Sequence, residues 1–242
     1  MKKKAIFQGL LALVLLFVFS GCGIMGWFGK KKNTDAPPDI LAQRGIKELS
    51  KKNYIDAIDT FEKLKNRYPY SDQALLAQIM VADAKFYDKK YQEAFESYRE
   101  FEKLHPTNKA VPYCIFQEGR CFYLQRSTID RDQTYTRNAI REFTRLKQKY
   151  PKSHYIPRAD KYLARCRRDL AEHEFYVGNF YFTTEHYKAA LDRYEGLIQD
   201  YPEFSKNGEA RQRIQECKKL LADKNKPKGW LSALTSIFDA KW

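Results

Sequence analysis

The chain has 242 residues, a formal charge of +14, and 17 tyrosines and 16 phenylalanines, so it is long enough for one domain or a solenoid of about four to six repeats packed through aromatic rings. The basic excess suits nucleic acid, an anionic membrane surface or an acidic partner. The four histidines (His105, His154, His173, His186) have no carboxylate or cysteine at triad or metal spacing, and no glycine-rich phosphate loop occurs, which argues against an enzyme.

Residues 1–21 read as an export signal, with Lys2, Lys3 and Lys4 ahead of an apolar run from Leu10 to Phe19. That run is short for a permanent span, which needs about 20 apolar residues. It ends in Phe19-Ser20-Gly21-Cys22, which resembles a bacterial lipobox, with Phe19 where leucine is usual. The resemblance implies cleavage before Cys22 and a diacylglycerol and N-acyl lipid (palmitate-type) on that residue, with no other cofactor. Gly23, where an aspartate would retain the protein in the inner membrane, implies the periplasmic face of the outer membrane. Several acyl chains together give stable anchoring. The alternative is an ordinary anchor or secretory signal that happens to end in cysteine. Loss of the three lysines leaves the mature chain at +11.

Residues 22–38 form a lipidated tether with Lys30, Lys31, Lys32 and Pro37-Pro38. Trp27 and Phe28 suit the headgroup level, or are incidental in an unstructured linker.

From 39 to 222 one pattern recurs. Counted from Gly45, Tyr54, Ala57, Phe61 and Pro69 follow at offsets 9, 12, 16 and 24. Ala82, Tyr91, Ala94, Tyr98 and Pro106 repeat those offsets, as do Gly178, Tyr187, Ala190, Tyr194 and Pro202. Gly119 begins another copy, which resumes after an eight-residue insertion at Thr136, Ala139, Phe143 and Pro151. Each copy reads as a helix–turn–helix unit in which small residues let helices approach, an aromatic fills the gap and proline ends the second helix. The pattern resembles the tetratricopeptide repeat, which implies an all-α solenoid of about five repeats. Their bounds fall near 39–70, 71–107, 110–152, 155–203 and 207–222, with Asp39 as the expected first N-cap. The polar insertion around Ser127–Asp132 sits where two helices join. The chain then reads as helical from Tyr155 to Thr183, 14 residues longer than the count from Pro151 requires, enough to separate two halves. A last amphipathic helix caps the array. The tail, 223–242, places Trp230, Leu234, Ile237 and Phe238 at helical spacing, for docking on a partner or on the solenoid itself.

Cys114 and Cys121 are seven residues apart on one helix, roughly 10 Å and too far for a disulfide. Cys166 and Cys217 could pair across neighbouring helices, but buried thiols are the expected state. His105, at the end of a helix, reads as structural.

Tetratricopeptide solenoids bind through the face lined by the first helix of each repeat. The groove offsets of that family give Ala42, Ile46, Leu49 and Ser50 in the first repeat. They give Ile79, Asp83, Phe86 and Tyr87 in the second, and Phe116, Arg120, Tyr123 and Leu124 in the third. Such a groove suits an extended peptide with alternating apolar side chains, Asp83 and Arg120 setting register; some of the rings could instead pack between helices.

More specific residues resemble the BamD family, the lipoproteins of the outer-membrane β-barrel assembly (BAM) machinery. They are Asn66-Arg67-Tyr68-Pro69, Asp130-Arg131-Asp132, Tyr150-Pro151-Lys152-Ser153, Glu174-Phe175-Tyr176 and Arg193-Tyr194-Glu195-Gly196. The resemblance implies a scaffold without enzymatic activity that binds the BamA periplasmic domains through its C-terminal half, sits beside other BAM lipoproteins, and receives unfolded outer-membrane protein precursors in the N-terminal groove. Arg193 is a candidate BamA contact, since an arginine grips a carboxylate in two places. A periplasmic location excludes nucleic acid. A lipoprotein assembling a secretin or pilus, or an adaptor for cell-wall hydrolases, would share the signal and groove.

Overall fold

The computed structural model describes residues 36–224, and among them the chain is nine α-helices without a strand. They are α1 (Pro38–Ser50), α2 (Tyr54–Arg67), α3 (Asp72–Tyr87), α4 (Tyr91–Leu104), α5 (Val111–Leu124), α6 (Thr134–Lys149), α7 (Ile156–Thr183), α8 (Tyr187–Asp200) and α9 (Asn207–Lys224). Each helix packs on the next, and α1 also reaches α3 while α5 reaches α7. The first helices of successive pairs thus lie side by side and line the inner face of a tetratricopeptide-type solenoid. Four pairs are complete, and α9 follows as a ninth helix.

The repeat has a direct steric cause. A Cβ on Gly45 would lie 2.5 Å from the Phe61 ring, one on Gly119 2.6 Å from Phe143, and one on Gly178 2.7 Å from Tyr194. All three aromatics are fully buried, so the ring of the second helix sits on the bare backbone of the first. Ala82 holds the equivalent place opposite Tyr98. The four second helices end alike: Tyr68, His105, Tyr150 and Tyr201 take φ between −126 and −135 just ahead of a proline, and each donates its N–H to the carbonyl four residues back. His105 is held there by Gln78 Oε1, 3.0 Å from its Nε2, and by the Phe101 ring.

Turns between paired helices carry a less visible device. Lys52, Lys89 and Glu185 have φ of 64, 63 and 59, and each stands seven residues after the small residue of its repeat. The left-handed conformation costs a residue with a Cβ about 1–2 kcal/mol, yet none of the three is glycine. In the third pair the insertion replaces this turn, and buried Gln133 organises it by donating Nε2 to the carbonyls of Thr128 and Arg131.

Three buried clusters run along the array. The first joins α1–α3 around Phe61 and Leu64, the second runs from Ala82 to Cys166, and the third from Ala171 to Cys217. The long α7 belongs to the second through its first half and to the third through its second half, so its extra length separates two cores rather than merely lengthening one. The first helix begins two residues earlier than Asp39 as N-cap implies. Pro38 occupies its first turn, with φ preset for a helix, and Pro37 is the N-cap, so Asp39 lies inside and accepts from Gln73 Nε2 at 2.5 Å instead of capping. The outward side of α9 is polar, as at the end of a solenoid. Cys114, Cys121, Cys166 and Cys217 are buried free thiols. The signal, residues 22–35 of the tether with Cys22, and Trp230, Leu234, Ile237 and Phe238 of the tail lie outside the described residues.

Candidate functional site

The inner face of α3, α5 and α7 carries a continuous aromatic surface with cations laid over it. Tyr87 is half exposed at the end of α3 and stacks at 6.4 Å on Tyr54. Phe86 is buried, edge-on to Tyr91, and the Arg120 guanidinium lies 4.6 Å over its ring. Phe116 is likewise buried, with Tyr155 stacked on it at 5.1 Å and Phe143 and Tyr162 around it. Tyr123 remains partly open: Tyr162 meets it edge-on at 4.5 Å and Arg126 covers its face at 3.7 Å. Arg126 is fixed in turn by Asp169 of α7.

The residues at the groove offsets lie at different depths on the inner face. Phe86 and Phe116 belong to the core and would not touch a ligand directly. Among the predicted groove rings and charges, Tyr87, Arg120 and Tyr123 reach solvent; Ile46, Ser50 and Leu124 are exposed as well, and Leu49 and Ile79 are partly open.

Asp83 is also corrected. It is buried, and its Oδ1 accepts from the hydroxyls of Tyr98 at 2.5 Å and Tyr113 at 2.6 Å. Gln117 donates Nε2 to the Tyr113 hydroxyl at 3.0 Å, and its Oε1 accepts from Arg120 at 2.7 Å. Burial raises the Asp83 carboxyl above its ordinary range, against the hydrogen bonds from Tyr113, Tyr98 and Gln117. Asp83 thus locks α3 to α4 and α5 and does not set the register of a bound chain. The fourth repeat has a matching pair, Tyr194 donating to Asn179 Oδ1 at 2.6 Å. Both acceptors stand one residue after the small residue, and both donors sixteen after it. Where the ring is Phe61 or Phe143, that acceptor position holds Ile46 or Arg120 instead.

Behind this face, α4, α5 and α6 share an ionic cluster. Arg145 grips Glu102 through two contacts of 2.7 Å, Glu142 at 2.7 Å and Glu118 at 2.6 Å. Arg99 adds contacts of 2.8 Å to Glu118 and 2.9 Å to Glu142. Glu118 is wholly buried with one oxygen lacking a hydrogen-bond partner, and burial pushes its carboxyl up to about 8 despite the two guanidiniums. Partial burial works upward on Glu102 too, but Arg145 and Lys149 outweigh it and hold that carboxyl below its ordinary value. Both sets of groups join helices rather than converge on a cavity.

Arg193 is exposed on α8, where its Nη1 meets Glu174 Oε2 at 2.8 Å, so one edge of the guanidinium is already engaged. The histidines stay apart: His154 lies tilted against the Tyr155 ring, His173 meets the Ile129 carbonyl and His186 meets Thr184. No group of three or more His, Cys, Asp or Glu able to hold a metal occurs among the described residues, and no described helix is long and apolar enough to cross a membrane.

Tyr113, Tyr155, Tyr162 and Arg126 complete the face, and the offsets from Gly178 do not reach them. Thirteen residues after Pro151, as in the earlier copies, stands Ala164; the groove offsets from it do not reach those four either, but give Lys161, Arg165, Arg168 and Asp169 on the first half of α7.

A family model described as outer membrane lipoprotein (YfiO) matches residues 34–229. An outer membrane protein assembly factor BamD of Caulobacter vibrioides is 26% identical over 216 residues, covering 87% of this chain and 71% of its own length. A protein of the same name from Rickettsia prowazekii is 28% identical over 233 residues, covering 95% of this chain and 91% of its own. Among solved structures, a thermophilic tetratricopeptide protein of Thermus thermophilus aligns with 75% of this chain and 98% of its own, with 14% identity and a TM-score of 0.40.

Proposed function

The chain belongs to the outer membrane lipoprotein family, and from that premise we propose that it is the scaffold lipoprotein of an outer-membrane β-barrel assembly machinery, held at the periplasmic face of the outer membrane by lipid on Cys22. Its work is to bind, not to catalyse. The observation that carries this reading is the family match over nearly the whole mature chain, joined to an inner face of partly open rings suited to extended chains. Unfolded outer-membrane protein precursors alternate aromatic and apolar side chains in their terminal strands. Tyr87, Tyr123 and Tyr162 offer rings to such a strand, and Arg120 and Arg126, laid over aromatic faces, offer fixed donors. The BamA periplasmic domains dock on the C-terminal half, with the free edge of Arg193 gripping a carboxylate, and the other lipoproteins of the machinery assemble around them.

Purification of the lipidated chain from solubilised outer membranes tests the reading. BamA should dominate the co-purifying proteins; a secretin or a murein hydrolase in its place would overturn it. Tyr87→Ala with Tyr123→Ala should lower affinity for a precursor's terminal-strand peptide about thirtyfold, at about 1 kcal/mol for each open ring, and Arg193→Ala should weaken recovery of BamA. Radioactive fatty acid should label the wild-type chain and not Cys22→Ser.

A further inference from the structure

Between residues 156 and 168 the first half of α7 carries five cations and one carboxylate. Arg158, Lys161, Arg165 and Arg168 recur at three- and four-residue steps, so they share an arc of about 80° and a length of about 15 Å. All four are exposed, and none has a carboxylate partner among the described residues. The acids of the same helix are engaged elsewhere: Asp160 with Lys147 at 2.5 Å, Asp169 with Arg126, and Glu172 with Lys206 at 2.8 Å. Arg165 is a neighbour of Tyr123, which sets the stripe beside the aromatic surface. On the flank of Arg168 opens a cleft of about 390 Å³, floored by Ala164, Ala171, Tyr201 and Phe204.

We propose that this stripe is a docking rail for an acidic helical segment of a partner protein. Carboxylates spaced at three and four residues meet the four cations, and one apolar side chain of the segment enters the cleft. Three facts select this occupant. Unneutralised like charge along one helix face costs stability unless a partner of opposite sign covers it. Three of the four cations are arginines, whose planar fork matches a carboxylate. Lys161, Arg165 and Arg168 hold groove positions on the inner side of the solenoid, where a flat bilayer has no access.

The test uses the full mature chain with Cys22→Ser, so that no lipid contributes. The probe is a fluorescein-labelled helical peptide with glutamates at three- and four-residue steps and one leucine; a lysine version and phosphatidylglycerol–phosphatidylethanolamine vesicles serve as alternatives. The glutamate peptide should bind in a salt-dependent way. Arg165→Glu with Arg168→Glu should weaken binding about tenfold, while Lys188→Glu with Arg211→Glu, an equal change of charge elsewhere, should alter it less than about twofold. The neutral pair Arg165→Gln with Arg168→Gln, checked for helical content by circular dichroism, should fall between them. Equal loss in both charge-reversal variants, or no loss in either, overturns the rail. Vesicle binding that disappears with the stripe would give the site to the membrane instead.

Discussion

Gly119→Ala and Gly196→Ala are the same substitution inside two helices, and the structure sets them opposite signs. In an open helix interior, glycine to alanine gains about 0.8–1 kcal/mol of helix propensity. A Cβ on Gly196 meets nothing within 4 Å, so Gly196→Ala should keep that gain. On Gly119 the new methyl falls 2.6, 2.7 and 2.9 Å from three atoms of the Phe143 ring. The ring has nowhere to go, because Tyr162 lies parallel to it at 5.1 Å and Phe116 stands at 5.9 Å. Overpacking of this kind costs about 1–3 kcal/mol, which leaves a net loss of up to about 2 kcal/mol after the propensity gain. For a domain of this size that lowers the midpoint by up to about 8 °C. Melts followed by far-ultraviolet circular dichroism would measure it, and Phe143→Leu added to Gly119→Ala should restore part of the loss. Displaced Phe143 pushes on Tyr162, so peptide binding at the groove should weaken along with stability. A Gly119→Ala chain that melts at or above the parent would refute the steric account of the repeat.

Other outcomes follow from the buried groups and turns. Asp83→Ala leaves the Tyr98 and Tyr113 hydroxyls without their acceptor and should cost about 1–3 kcal/mol in urea denaturation; a smaller change than that of an exposed control would remove its role as a lock. Lys89→Gly, at φ 63, should raise stability by several tenths of a kcal/mol once the flexibility glycine adds to the unfolded chain offsets part of the relief, whereas Lys90→Gly one residue later should not. Glu118 binds its proton more tightly folded than unfolded, so its contribution is fully present below about 4.5 and is lost as pH rises through about 8. Glu102, lowered, works the other way and loses its contribution as pH falls below about 4.5. Glu118→Gln should therefore flatten the decline in stability between pH 5 and 8 seen in pH-resolved denaturation, and an unchanged slope would place the titration elsewhere.

The solenoid was legible because its determinants are local and periodic. A small residue facing an aromatic sixteen residues on is a contact between adjacent helices, and it repeats without shift in three of the four copies. Burial at the groove was not legible, because it depends on the next helix but one. Phe86 and Phe116 occupy groove offsets, but Arg120 lies across one and Tyr155 across the other. Asp83 read as an exposed acid because a single repeat does not reveal its hydrogen bond. Comparing repeats does: an acceptor after the small residue accompanies Tyr98 and Tyr194, and none accompanies Phe61 or Phe143. The left-handed turns left no trace, since lysine and glutamate stand where glycine would have announced them. The first half of α7 escaped because two residues, Ala164 and Gly178, satisfy the small position of one repeat.

That doubled repeat has a mechanical consequence. An unbroken helix of 28 residues is a rod about 42 Å long, with one core clamped to each half. If it pivots by about 5° about its middle, each end sweeps roughly 2 Å, about the difference between a ring in contact and a ring with water beneath it. No hydrogen bond of the rod need break for the displacement to cross the molecule. A load applied near α8 and α9 can thus be felt at Tyr155 and Tyr162 near the far end, with α7 acting as a lever.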